Sequence, residues 1–198
     1  WNSTQTTIHP FVCYFRNDSV SIENTCFLVI SECTEHNTAA VHLFQRKLIQ
    51  YLTNKRGGSR PQKITYATDG CAAQYKNRKN FSNLCHHKDD FGVKVWHFFA
   101  TSHGKTAGDG AAGTLKRLAT KRSLQRPYAE QIITPRQLFD YACSTIQGMT
   151  FDFATLKEHK DEELLLEKRF AACRTVPGTQ KLHCFRPLST NSLEETVF

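Results

Sequence analysis

Gln62–Phe81 reads QKITYATDGCAAQYKNRKNF. Its first seven residues alternate and are rich in β formers, which predicts a strand over 62–68. Asp69-Gly70 ends it. The segment that follows, with a helix expected over 72–88, carries Gln74, Lys76, Asn77, Arg78, Lys79 and Asn80, a dense set of hydrogen-bond donors. A carboxylate between a strand and so basic a segment has two readings. Asp-Gly after a strand makes a turn. A strand-end carboxylate among cations also suits a hard metal ion beside nucleic acid.

The same strand-then-helix order recurs along the chain. VKVWHFFAT at 93–101 is apolar almost throughout, so a central strand covered on both faces is expected. TTIHPFVCYFR (6–16) and TCFLVIS (25–31) flank the turn signal Asn17-Asp18 and predict a hairpin. Val41, Phe44, Leu48 and Tyr51/Leu52 recur at helical steps and predict a helix over 37–53, with Gln45, Arg46, Lys47 and Gln50 facing out. NKRGGSRP (54–61) breaks it as an exposed loop. Further helices are expected from Asp109 to about Arg126, where Pro127 stops it, from Thr134-Pro135, and over 159–172. Residues 173–187 suggest a terminal hairpin turned at Pro177-Gly178. The order predicts a layered α/β fold with a mixed sheet. A core over 1–126 and an appendage of helices and a hairpin over 127–198 are expected.

With 26 Lys and Arg against 18 Asp and Glu, the net charge is +8, which favours polyanionic partners, DNA first. A merely basic soluble surface is the plainer alternative. No apolar run approaches the ~20 residues of a membrane span, so no membrane partner is expected. The eight Cys show no CxxC spacing, and several sit in apolar runs; buried free thiols in a reducing, nuclear or cytoplasmic setting fit best. CHHKDD (85–90) with His97 lacks finger-like spacing, so no zinc is expected.

Asp69 and Asp109, 109 − 69 = 40 residues apart, each follow a predicted strand. In layered α/β folds ligands gather outside the carboxyl ends of parallel strands. Carboxylates there can hold paired Mg²⁺ or Mn²⁺ ions that clamp the attacking and leaving oxygens of a phosphodiester. His103, in TSHGK, can ligate metal, orient water or touch phosphate, and Lys105 can contact phosphate. On the helix from Asp109, Lys116, Arg117, Lys121, Arg122 and Arg126 extend the basic surface, with 117, 121 and 122 close on one face. Each has a structural alternative: a turn for Asp69, a helix cap for Asp109, solvated charge for the cations.

TDGCAAQYKNRKNFSNLC (68–85) and WHFFATSHGKTAGDGAAGTLKRLATKRSLQRP (96–127) resemble a family of transposon-derived animal proteins that look like ribonuclease H-like, DDE-type transposase or integrase cores. The likeness extends over nearly the whole chain. It implies a three-layer mixed sheet flanked by helices and metal-dependent DNA cleavage or strand transfer. It implies Asp69 and Asp109 as metal ligands with His103 assisting. Gln74, Lys76, Asn77, Lys79, Lys105, Lys116, Arg117 and Arg122 then contact nucleic acid. It also implies a further acidic residue on a strand upstream of Trp1. An incomplete carboxylate set holds metal weakly or not at all. Two functions therefore stand open: a transposase-like enzyme, and a non-catalytic nucleic-acid-binding or interaction domain derived from one.

Overall fold

β1 (Thr7–Arg16) and β2 (Ile22–Ser31) pair antiparallel along their whole length, Thr7 opposite Ser31 and Arg16 opposite Ile22. They belong to a computed structural model that describes residues 5–16, 21–99 and 106–196. The remaining elements are α1 (Thr38–Lys55), β3 (Lys63–Thr68), α2 (Arg78–Phe91), β4 (Lys94–Phe99), α3 (Ala107–Leu124), α4 (Pro135–Thr145), β5 (Met149–Ala154), α5 (Leu156–Ala171), β6 (Cys184–Ser189) and β7 (Ser192–Thr196). The architecture is mixed α/β. Two compact units share the chain: residues 1–35 with 105–158, and residues 36–104 with 159–198.

The first unit holds a sheet of order β1-β2-β5, with β5 parallel to β2. β5 is a strand that the sequence reading missed. Its run MTFDFA is short, and its partner lies more than 100 residues upstream, so no local pattern announces the pairing. Leu28 and Ile30 of β2, Leu115 of α3, Leu138 and Ala142 of α4, and Phe153 of β5 form the core here. α4 starts as expected: Thr134 caps it, Gln137 returns the bond to the Thr134 N–H, and Pro135 follows the cap. α5 starts earlier than expected, at Leu156 and not 159. Thr155 and Glu158 form a capping box, with the Glu158 N–H donating to Thr155 Oγ1 (3.1 Å) and the Thr155 N–H to Glu158 Oε2 (2.7 Å).

The second unit holds a sheet of order β3-β4-β6-β7. β3 and β4 are parallel neighbours, Lys63 opposite Lys94 and Thr68 opposite Phe99. β6 is antiparallel to β4, and β7 to β6. The terminal hairpin is therefore 184–196, turned at Thr190-Asn191, and not 173–187. Pro177-Gly178 instead leads into a short 3₁₀ turn at Thr179–Lys181. Pro187, which has no N–H to give, sits where the β6–β7 register shifts.

One face of this sheet carries Ile64, Tyr66, Val95, His97 and Phe185, and the stripe Phe81, Leu84, His87 and Phe91 marks the buried face of α2. Phe81 stacks on Phe185 with centroids 4.3 Å apart. α2 begins at Arg78 and not at 72. Residues 72–77 are turns, and Asn77 caps the helix by accepting from the N–H groups of Lys79 and Asn80 (3.0 Å each). On α1, Arg46 and Lys47 are half-buried and Gln50 is exposed, but Gln45 is buried, contrary to expectation.

α1, α2 and the part of α5 in this unit are tied by buried charge. His42, almost wholly enclosed, places Nδ1 against Glu162 Oε1 and Nε2 3.0 Å from Asp90 Oδ2. Arg46 Nη2 donates to Glu162 Oε1 (2.9 Å). Arg169 grips Asp90 through both terminal nitrogens (2.6 and 2.7 Å) and reaches Asn83 Oδ1 (3.1 Å). Burial opposes the charge on Asp90, but hydrogen bonds from His42 and Arg169, with their charges, outweigh it and hold its carboxyl far below the usual range. Burial also opposes the charge on Glu162, and His42 and Arg46 again prevail.

All eight cysteines are free. Cys33 is buried, but Cys71 and Cys143 are exposed, so burial does not hold for every thiol. Burial pushes the Cys13 and Cys85 thiols up to about 11. Among the described residues, no helix is long and apolar enough to cross a membrane.

Both network carboxylates have depressed folded pKa values, so their stabilisation is complete above the unfolded carboxyl range near ~4 and fades as pH falls through and below it. Asp90→Asn removes one charge and leaves Arg169 half-paired. It should cost about 3–5 kcal/mol, measured by urea unfolding at neutral pH, and should flatten the acid limb of the stability–pH curve.

Candidate site at the carboxyl end of β3

β3 delivers Asp69 to its carboxyl end, where the side chain is exposed. Asp69 Oδ1 accepts from the Cys71 N–H (3.0 Å), and Gly70 takes φ 73°, a conformation that disfavours any side chain. The turn reading is thus correct, and it leaves Oδ2 without a partner among the described residues.

The segment after Asp69 is fixed by its own backbone. The Cys71 carbonyl accepts from the N–H groups of Gln74, Tyr75 and Lys76 (3.2, 2.7 and 3.2 Å). Asn77 Nδ2 donates to Ala72 O (2.8 Å) and to Thr38 Oγ1 at the start of α1 (3.0 Å). Asn80, fully buried, donates to Tyr75 O (2.7 Å). Asn77 and Asn80 therefore spend their amides on the turn. Gln74 and Lys76 are half-buried, and partial desolvation lowers the Lys76 pKa. Arg78 and Lys79 are exposed, with Lys79 Nζ 5.1 Å from the centre of the Phe170 ring. Gln74, Lys76, Arg78 and Lys79 thus stand together on one capped turn.

Beneath it lies a buried polar column that sequence reading did not find. Thr68 Oγ1 meets His97 Nε2 (2.9 Å), and the Tyr75 ring stands edge-on to His97 at 5.9 Å. His87 Nδ1 donates to Val93 O (2.7 Å), so its Nε2 is left to accept from Tyr66 OH (3.3 Å). Burial, and then the neighbouring His87, depress the His97 pKa to about 3. Burial also depresses His87, to about 4, against the pull of the Val93 carbonyl. Both rings are neutral at physiological pH. Burial, with the Asp69 charge behind it, raises the Tyr75 phenol. The β3–β4 register puts Tyr66, Thr68 and His97 on one side of the sheet, and only the alternation in KITYAT signalled part of it.

Asp109 lies in the other unit, in the first turn of α3. It is not the cap. Thr106 is, because α3 starts at Ala107, two residues before the expected point. Asp109 completes a capping box: Oδ2 accepts from the Thr106 N–H (2.8 Å) and Oγ1 (2.9 Å), and its own N–H donates to Thr106 Oγ1 (3.2 Å). Those bonds, the backbone one first, lower its pKa. Lys116 and Arg117 are exposed on α3 and Arg122 is half-buried. His103 and Lys105 lie outside the described residues.

The family described as Domain of unknown function (DUF8701) matches residues 1–198. The chain belongs to the DUF8701 family. No curated protein and no solved structure matches it.

In this DUF8701 chain Asp69 and Asn77 answer differently to substitution. Asp69→Asn keeps an oxygen for the Cys71 N–H and should leave the melting temperature unchanged. Asn77→Ala removes the α2 cap and its ties to Ala72 and Thr38, and should cost about 1–2 kcal/mol. Thermal unfolding of the two variants side by side checks both.

Proposed function

We propose that this chain is a ribonuclease H-like module of transposase descent that engages DNA, in a nuclear setting, at the carboxyl end of β3. The observation that carries the reading is the strand-end carboxylate. Asp69 leaves a parallel strand pair with one oxygen uncommitted, and a rigid turn bearing Lys76, Arg78 and Lys79 follows at once. Carboxyl ends of parallel strands are where layered α/β folds hold ligands.

The donor chemistry suits a hard divalent ion, Mg²⁺ or Mn²⁺, which takes oxygen ligands. Asp69 fits with Oδ2. Asp109 offers only Oδ1, since Oδ2 is committed to Thr106. When bound, such an ion supplies charge neutralisation at a phosphodiester. The chain's own part is to present Asp69 on a fixed turn and to hold the phosphate backbone with Lys76 and Lys79. The commitment of Asp109 to its capping box favours a second reading, in which the module binds nucleic acid and does not cut it.

Plasmid nicking and DNA binding separate these readings. For the enzyme, Mg²⁺-dependent nicking by a chain extended upstream is expected, abolished by Asp69→Asn. For the binding module, affinity should need no divalent ion and fall steeply with salt, and Lys79→Ala should reduce the salt slope by about 1. Salt-insensitive affinity, or none, would overturn both.

A further inference from the structure

The face of the β3-β4-β6-β7 sheet opposite Tyr66, His97 and Phe185 has no part in the strand-end site. The register sets Thr65, Trp96, Arg186 and Glu194 in one row across the four strands, and Ala67, Phe98 and Cys184 in the next. Lys63 and Lys94 lie opposite each other in a third row. VKVWHFFAT predicted a strand covered on both faces. On this side, however, Lys63, Thr65, Ala67, Lys94, Arg186 and Glu194 are exposed, and Trp96, Phe98 and Cys184 are half-buried. The strand is central, but only one of its faces is sealed. Core packing therefore does not account for two aromatic rings on the other.

Trp96 stands among cations. Lys63 Nζ lies 3.8 Å from the Trp96 ring centre, and Arg186 Cζ lies 5.6 Å from it. Lys63 and Lys94 lie in the row beyond, and the carboxylate of Glu194 meets Arg186 at 3.4 Å. Trp96 and Phe98 are two residues apart on one strand, about 6.6–6.8 Å.

We propose that this face is a stacking platform for single-stranded nucleic acid, with bases on Trp96 and Phe98 and phosphates on Lys63, Lys94 and Arg186. Duplex DNA keeps its base faces stacked inside and offers this surface only phosphates, whereas an open strand offers both base faces and charge. A cation over an exposed ring is held more weakly than a stacked base. An arriving base therefore displaces Lys63 or Arg186 from Trp96, and the freed cation is already beside the phosphate. Stacking of this kind tolerates any sequence, because every base has a flat face. The platform goes beyond the strand-end reading, since neither Asp69 nor Lys79 takes part in it.

The test is tryptophan fluorescence of the full chain carrying Trp1→Phe, which leaves Trp96 as the single tryptophan. Short oligo-dT and oligo-U should quench it, and duplex DNA of equal length should not. Trp96→Leu, followed by anisotropy of a labelled oligonucleotide, should weaken binding roughly ten-fold or more. Lys63→Glu, which alters charge without touching the core, should do likewise, with circular dichroism confirming the fold of both variants. Loss of binding in Lys63→Glu with unchanged affinity in Asp69→Asn supports the platform. Duplex binding without Trp96 quenching by single strands sinks the platform and leaves the strand-end reading standing. Quenching that grows with protein concentration alone marks the face as a self-association surface and overturns the proposal.

Discussion

The unit built on β3 and β4 depends on two carboxylates, Asp90 and Glu162, held between helices. His42 sits on the buried side of α1 with a carboxylate at each ring nitrogen, one from α2 and one from α5. Neither carboxylate is left with the imidazole alone: Arg46 takes up Glu162, and Arg169 takes up Asp90. Removing Asp90 leaves the largely buried Arg169 without its carboxylate, and an unpaired charge in low dielectric is expensive. The helices are thereby held in one mutual arrangement by directional bonds, where apolar packing alone would tolerate sliding. The turn that displays Lys76 and Lys79 grows from the start of α2, and its Asn77 also bonds to Thr38 at the start of α1. The basic turn is thus pinned to the same two helices that the buried charges fix.

This arrangement changes what the excess of basic residues means. The network consumes Arg46 and Arg169, and they answer acids inside the unit. Cations such as Lys79, Lys63 and Lys94 are exposed. The net charge of +8 therefore understates the separation of roles. Asp90 and Glu162 hold helices together, and Asp109 and Glu158 cap them, while Lys63, Lys79 and Lys94 stay exposed.

Local patterns carried much of the fold into the sequence. The alternation in KITYAT, the helical spacing of Val41, Phe44 and Leu48, and the Thr134-Pro135 start depend on near neighbours, and they were legible. β5 was not, because its pairing is settled by β2, far away along the chain. Helix starts were displaced wherever a cap competed with a stronger-looking signal. Asp109 looked like a cap, yet Thr106 had the shorter route to the third N–H. Asn77 was read as a donor for nucleic acid, and its role as the α2 cap was missed. Of the candidate site, Asp69 at a strand end was legible from Asp-Gly alone. The His97–Thr68 and His87–Tyr66 contacts were not, since each joins residues more than 20 positions apart.

The misreading of β4 follows from the same limit and points furthest. A run such as KVWHFF has no clean period, so hydrophobicity alone suggests burial on both sides. The sheet register resolves it into two alternating sets with opposite chemistry. Val95 and His97 face α2 and are sealed, the histidine so completely that it stays neutral. Trp96 and Phe98 face the other way, Trp96 beside Lys63 and Arg186. If Trp96 existed only to thicken a core, its neighbours across the strands would be apolar. They are Thr65 and charged residues instead. A half-buried aromatic ring maintained beside cations on an open sheet keeps apolar surface in water, which is unfavourable in the isolated chain. Binding a flat, anionic polymer removes that exposure, and this makes the open face intelligible as a surface for a partner.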